Sequence, residues 1–159
     1  MTALSASVQR PVKIPPGGLM TAVLKLAGYT NRGGGSVAFT VYKGAVVACD
    51  ESDTDGYFGP KDFNATSGDI FGGIAAEKVA VTSADTADGS KVLTVYRNGV
   101  WGFAKGSLAI TDVGALCYAS DDNTVTTTST NAILIGRIVD VDDTYAWVDI
   151  ENHWMVPLS

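Results

Sequence analysis

Nowhere in this chain do apolar residues recur at helical spacing over a helix-length window; they come in short runs cut by turn residues. A chain of 159 residues patterned this way has to build its core from strands. The runs are Val37 to Val41, Gly44 to Cys49, Ile70 to Ala75, Lys78 to Val81, Lys91 to Arg97, Val100 to Ala104, Ala115 to Ala119, Ala132 to Val139 and Tyr145 to Ile150. Thr124 to Thr130 adds an extended segment suited to an exposed sheet edge. Met20 to Leu26 fits a strand or a short helical turn, and Ser107 to Thr111 a short strand or extended link. Any short helix belongs near residues 20–27 or 105–113. About ten short strands at this spacing predict an all-β fold, a compact β-sandwich or a partly closed β-barrel.

Turn chemistry suggests which strands are neighbours. Asn98-Gly99 is the strongest hairpin signal, because both residues tolerate the positive φ of a type I′ turn. Tyr42-Lys43 marks a tight turn between two further strands, and the acidic turn Asp140 to Asp143 separates a second convincing pair. Residues 1–19 differ in kind. Pro11, Pro15, Pro16, Gly17 and Gly18 resist both helix and central strand, so this segment reads as an extended N-terminal arm. Such an arm is either disordered or ordered against a neighbouring chain. Residues 20–159 then form a single β-rich domain, a size that supports one buried core.

The inventory for chemistry is thin. The one histidine, His153, needs a partner from elsewhere to act as acid, base or ligand, and reads as a surface or interface residue. Gly-x-Ser-x-Gly is absent, and the glycines of 31–36 lack the spacing of a phosphate-binding loop. Cys49 and Cys117 sit inside apolar runs; spacing does not settle a disulfide, and buried thiols are the simpler reading. Glu51, Asp53 and Asp55, followed by Gly56 and with Asp62 at the twelfth position, alternate like the first half of a calcium loop. Glu in place of the first Asp, Pro60 in the second half and the lack of flanking helices favour a solvated acidic turn. The expectation is therefore no enzyme, no catalytic residue and no cofactor. Trp154, beyond the last strand, is a large apolar residue suited to burial at a contact.

Charge narrows the partners. The net charge is −6 and no Lys/Arg cluster stands out, so direct nucleic-acid binding lacks its electrostatic driving force. No window approaches the roughly 18 uninterrupted apolar residues of a membrane-spanning helix, so no membrane is expected. Without a basic region leading into an apolar stretch at the N-terminus, the expectation is use without classical secretion.

From Gly68 onward the sequence resembles the capsid decoration, or capsid cement, proteins of tailed bacteriophages. The features are Gly68-Asp69-Ile70-Phe71-Gly72-Gly73-Ile74-Ala75, then Val92 to Arg97 with Asn98-Gly99-Val100-Trp101-Gly102-Phe103. Gly114-Ala115-Leu116-Cys117-Tyr118, Asn131 to Ile135 with Gly136, and Ala146 to Ile150 continue it, and Tyr42-Lys43-Gly44-Ala45-Val46-Val47 opens it. The resemblance covers roughly residues 37–150. The arm and the 50–67 loop are additions to that pattern. It implies a β-rich virion protein on the outer surface of an icosahedral capsid, partnered by the major capsid protein, commonly as a homotrimer, and without catalytic residues. The arm, with Pro11, Pro15 and Pro16, and Trp154 are then the expected interface, the arm ordering on assembly.

Three other readings stay open: a β-sandwich carbohydrate-binding or tail-associated adhesion module, a lyase or hydrolase on a β scaffold, and a shell or tail-tube subunit. Exposed coplanar aromatics would favour the first and convergent polar groups in a pocket the second. Size weighs against a main shell subunit.

Overall fold

The computed structural model describes residues 3–29, 38–49, 56–60 and 70–151. β-Branched and aromatic residues dominate its strands, as their fit to a pleated, half-buried surface requires. In chain order these are β1 (Val12–Lys13), β2 (Thr21–Lys25), β3 (Phe39–Val41), β4 (Val46–Cys49), β5 (Phe58–Pro60), β6 (Ile70–Ala75), β7 (Val79–Val81), β8 (Val92–Tyr96), β9 (Val100–Ala104), β10 (Leu116–Ala119), β11 (Val125–Thr126), β12 (Ile133–Val141) and β13 (Tyr145–Asp149). A single 3-10 turn, Ile110–Asp112, is the one helical element among the described residues. The fold is all-β.

The strands make two main antiparallel sheets. One has six strands in the order β1-β9-β13-β12-β10-β11, the other five in the order β2-β8-β6-β4-β5; β3 and β7 pair separately. The five-stranded sheet curls until its ends meet: Leu26, just past β2, bridges Phe58 of β5, and the Ala27 N–H donates to the Phe58 carbonyl at 2.9 Å. One bridge does not close a barrel. The curl is helped by an irregularity where β4 meets β6, the register passing from Val47–Gly73 to Ala48–Phe71 and leaving Gly72 unpaired.

Two cores result. The six-stranded sheet presses Trp101, Phe103, Cys117, Ile133, Ile135, Ile138, Ala146 and Val148 onto Val46, Ala48, Phe71 and Ile74 of the other sheet. The second core fills the curl with Leu24, Leu26, Val41, Val47, Cys49, Phe58, Leu93 and Val95. Successive strand side chains point to opposite faces, so β4 sends Val46 and Ala48 into the first core, and Val47 and Cys49 into the second. Burial on both faces accounts for the unbroken apolar run Ala45 to Cys49. The cysteines therefore belong to different cores; both are buried thiols outside any disulfide.

Several expectations change here. Asn98-Gly99 does not join a hairpin: β8 pairs with β2 and β6, β9 with β1 and β13, so the turn is a corner carrying the chain from one sheet to the other. Only Gly99 has positive φ there, at 99°, whereas a type I′ turn needs it at both residues. Tyr42-Lys43 does stand in a tight turn, the Ala45 N–H donating to the Tyr42 carbonyl at 3.0 Å, between β3 and β4, each of which pairs with other strands. Residues 20–27 contain strand β2, and the helical turn falls within 105–113. The Thr run contributes only the two-residue edge strand β11. Asp140 to Asp143 does join a paired hairpin, β12 to β13.

The arm packs on its own chain here. Its β1 pairs with β9, Val12 beside Trp101 and Lys13 beside Val100. A turn at Pro15–Gly18, closed by the Gly18 N–H to the Pro15 carbonyl at 3.0 Å, then delivers the chain to β2 on the other sheet. The segment 12–25 thus runs antiparallel to 92–101 around the same corner. Asn98 ties the two turns together, its Nδ2 donating to the Gly18 carbonyl and its Oδ1 accepting from the Met20 N–H.

Candidate functional site

The arm lies in a groove made for it. Gly44 and Gly102 have no side chain where the arm passes: a Cβ on Gly44 would sit 2.5 Å from Val8 Cγ2, and one on Gly102 2.7 Å from the Pro11 ring. A Cβ on Gly99 would crowd Leu19 at 3.0 Å and Val12 at 3.2 Å. Backbone bonds line the same path, Val8 N–H to the Lys43 carbonyl and Gly102 N–H to the Pro11 carbonyl, each 2.9 Å.

Arg10 is the anchor. Its side chain is buried, with Nε donating to the Gly44 carbonyl at 2.6 Å and Nη2 to Asn123 Oδ1 at 2.7 Å; Nη1 is 3.5 Å from the Gly102 carbonyl. The guanidinium lies over the Phe103 ring, 4.0 Å from its centroid. Loss of water pulls the Arg10 pKa down to about 10, against the opposing pull of Asp122 and then Asp121, so the group stays charged at neutral pH. The acidic side of this contact is itself fixed. Asp121 accepts from the Asn123 and Thr124 N–H groups and from the Thr124 hydroxyl, while Asp122 Oδ1 accepts from the Leu4 N–H at 2.7 Å. Both aspartates are buried.

The outer face of the six-stranded sheet carries the other notable groups. Tyr145 and Trp147 are 5.7 Å apart edge to face, at 64°. Lys13 Nζ sits 4.6 Å from the Trp147 ring centroid, and Trp147 Nε1 donates to Asp142 Oδ2 at 2.8 Å. That bond, with those from the Tyr145 and Thr144 N–H groups, draws the Asp142 carboxyl down to about 2. Rings at this angle, one capped by an ammonium, do not form the flat stacking platform that a sugar ring needs.

Beyond Arg137 on that face is an apolar patch. Leu116 lies opposite Arg137, Val139 falls in the register irregularity after Ile138, and the 3-10 turn holds Ile110 and Val113 alongside through the Gly114 N–H to the Ile138 carbonyl. Ile110 is 63% exposed, Val113 and Val139 42%, and Leu116 36%. Brought near one another by β10, β12 and the turn, these four exposed apolar side chains make this part of the face a candidate contact surface.

Of the residues singled out in the sequence, Pro11 is half-buried on Gly102, Pro15 shapes the turn, and Pro16 is exposed. Trp154, His153, Glu51, Asp53 and Asp55 lie outside the described residues. Pro60 ends edge strand β5 opposite Val47. Among the described residues, no three His, Cys, Asp or Glu side chains gather as a metal-ligand group. Sequence reasoning missed Arg10, whose partners are 34, 92 and 113 residues away and leave no local signal. The patch was missed too, because a solvent-facing Leu116 is indistinguishable in sequence from a core residue. No protein-family model, curated protein or solved structure matches this chain.

Proposed function

We propose that this chain is a capsid decoration protein: a homotrimeric, non-enzymatic component that binds the major capsid protein on the outside of a phage head and stabilises the shell. The sequence resemblance suggests the class. The observation that carries the proposal in structural terms is the patch Ile110, Val113, Leu116 and Val139, apolar side chains left outside two otherwise well-filled cores. Leu116 and Val139 stand on strands, and the turn carrying Ile110 and Val113 is tied to β12 through the Gly114 N–H and the Ile138 carbonyl, so the surface is held in place and loses little conformational freedom on docking.

Cosedimentation with expanded, undecorated shells of the phage that encodes the protein tests it. The wild type is expected to bind. V113D/L116D, which places charge in the apolar centre, is expected to weaken binding at least tenfold, about 1.4 kcal/mol. V23D, on the exposed face of β2, is expected to bind as the wild type does. Absence of wild-type binding, or equal binding by all three, refutes the assignment. Tyr145 and Trp147 stand edge to face and lack a flat platform, so only binding to a glycan array that Y145A abolishes would support a glycan-binding module instead.

A further inference from the structure

We infer that the arm groove also serves as an interface between copies of this chain, with residues 3–13 of one molecule occupying the groove of a second. The inference goes beyond the capsid reading and does not depend on it.

Three observations carry it. First, the groove is shaped to this one segment: Gly44, Gly99 and Gly102 leave room for Val8, Pro11 and Val12 and for little that is bulkier. Second, its charge is complementary to this segment, since Arg10 enters a site bounded by Asp121, Asp122 and Asn123. The occupant that fits both is another copy of the same arm. Third, the connection is a hinge. Between β1 and β2 the chain turns at Pro15–Gly18, where Gly17 and Gly18 take φ of +90° and +88°. Neither is there for packing, as a Cβ at either position meets nothing within 4 Å. A four-residue turn that needs left-handed backbone at two positions is short and constrained. Opened, its two prolines extend the arm away from the body.

The arm makes the same contacts in the exchanged state as in the closed one. The balance is therefore set by the hinge, by the Asn98 bonds to Gly18 and Met20, and by concentration. A short tether gives the intramolecular arm an effective concentration on the order of millimolar, so arms stay in their own grooves when dilute and exchange rises as that concentration is approached. Whether two copies exchange reciprocally or several donate head to tail, each groove is completed by a neighbour's Arg10.

Cysteine trapping in the full-length protein tests this. Lys13 and Val100 are register partners on the outer face, so cysteines there are placed to bridge. A K13C chain and a mass-tagged V100C chain are unfolded together, refolded across a range of concentrations up to millimolar, and oxidised. A 13–100 bond between the two chains, rising with concentration and mapped by peptide mass, is the expected result. The wild type, with its two cysteines buried, is the blank. The K13C/V100C double variant should close on itself when dilute. If it does so at every concentration while the mixture yields no interchain 13–100 bond, or only 13–13 or 100–100 bonds, exchange is refuted. A double variant that forms no 13–100 bond at all refutes it too, because β1 would then not lie beside β9.

Discussion

Replacing Arg10 should cost more stability than any other single change in the arm, and the structure allows the size to be worked out. The buried guanidinium makes short hydrogen bonds to the Gly44 carbonyl and Asn123 Oδ1 and lies on Phe103. A buried charged group that is fully replaced, together with its partners, by apolar residues often costs nothing, because desolvation offsets the attraction. Arg10→Met is a different case: Asp121 and Asp122 stay buried and half-buried Asn123 loses its donor, all without the cation. For one partner removed, losses of about 3–5 kcal/mol are typical, and the aliphatic stem retained by Met holds the estimate near the lower end, about 3 kcal/mol. Arg10→Ala also removes the stem's packing and should reach about 4–5 kcal/mol. Arg10→Lys keeps the charge but has no planar fork to serve Gly44 and Asn123 together, so it falls between wild type and Met.

Urea unfolding measures this directly. With m of about 2 kcal/mol per M for a domain of this size, a 3 kcal/mol loss moves the midpoint down by about 1.5 M. Amide exchange shows whether the loss is local. The Gly102 N–H bonds to the Pro11 carbonyl, so a detached arm deprotects Gly102 before the Phe103 and Ala146 amides at the centre of the sheet. If Arg10→Met unfolds within about 0.5 kcal/mol of wild type, the desolvation cost equals the gain and Arg10 is not an anchor.

Two further outcomes are expected. Gly136→Ala should destabilise by about 3 kcal/mol or more in thermal or urea unfolding, since its Cβ would sit 2.9 Å from the Asp149 carbonyl carbon, still closer to its oxygen, and neither strand backbone can withdraw; a loss below about 1 kcal/mol would show that β12 and β13 do not approach as described. Asp142, bonded by Trp147 and two backbone N–H groups, has a folded pKa of about 2, below its unfolded value, so its contribution is full above about pH 4 and is lost as pH falls toward 2. A carboxyl carbon titration by NMR with a midpoint of 3.5 or higher, or one unchanged by Trp147→Phe, would contradict that arrangement (about 3.9 being the ordinary value).

What could be read from the sequence followed local physics. The run Val46 to Cys49 is continuous because both its faces are buried, and β12 and β13 are recognisable because an acidic turn joins two strands that do pair. Pairing decided elsewhere in the chain was not legible. Asn98-Gly99 has hairpin chemistry, yet β2 and β6 claim one side of the corner and β1 and β13 the other. β1 and β5 are two and three residues long and carry or adjoin proline, so neither has a periodicity to detect. Arg10 reads as one more polar residue of a proline-containing arm until the fold brings Gly44, Phe103 and Asn123 to it.

The groove and the patch lie on different strands of the six-stranded sheet. Arm exchange acts at β9, one strand from the edge of the six-stranded sheet, whereas the patch lies across β13 at β12 and β10. Between them, Lys13 covers the Trp147 ring and makes only an exposed ion pair with Asp140 at 3.9 Å, worth little in stability. No core residue changes place when the arm of one copy is replaced by that of another, because the groove is refilled by the same side chains. The patch is therefore unaltered by exchange. A chain locked closed through the 13–100 bond should still bind shells through Ile110, Val113, Leu116 and Val139, while V113D/L116D should still exchange arms. Loss of shell binding in the locked chain, or of arm exchange in V113D/L116D, would mean that the sheet transmits one event to the other, and that the two surfaces are a single site.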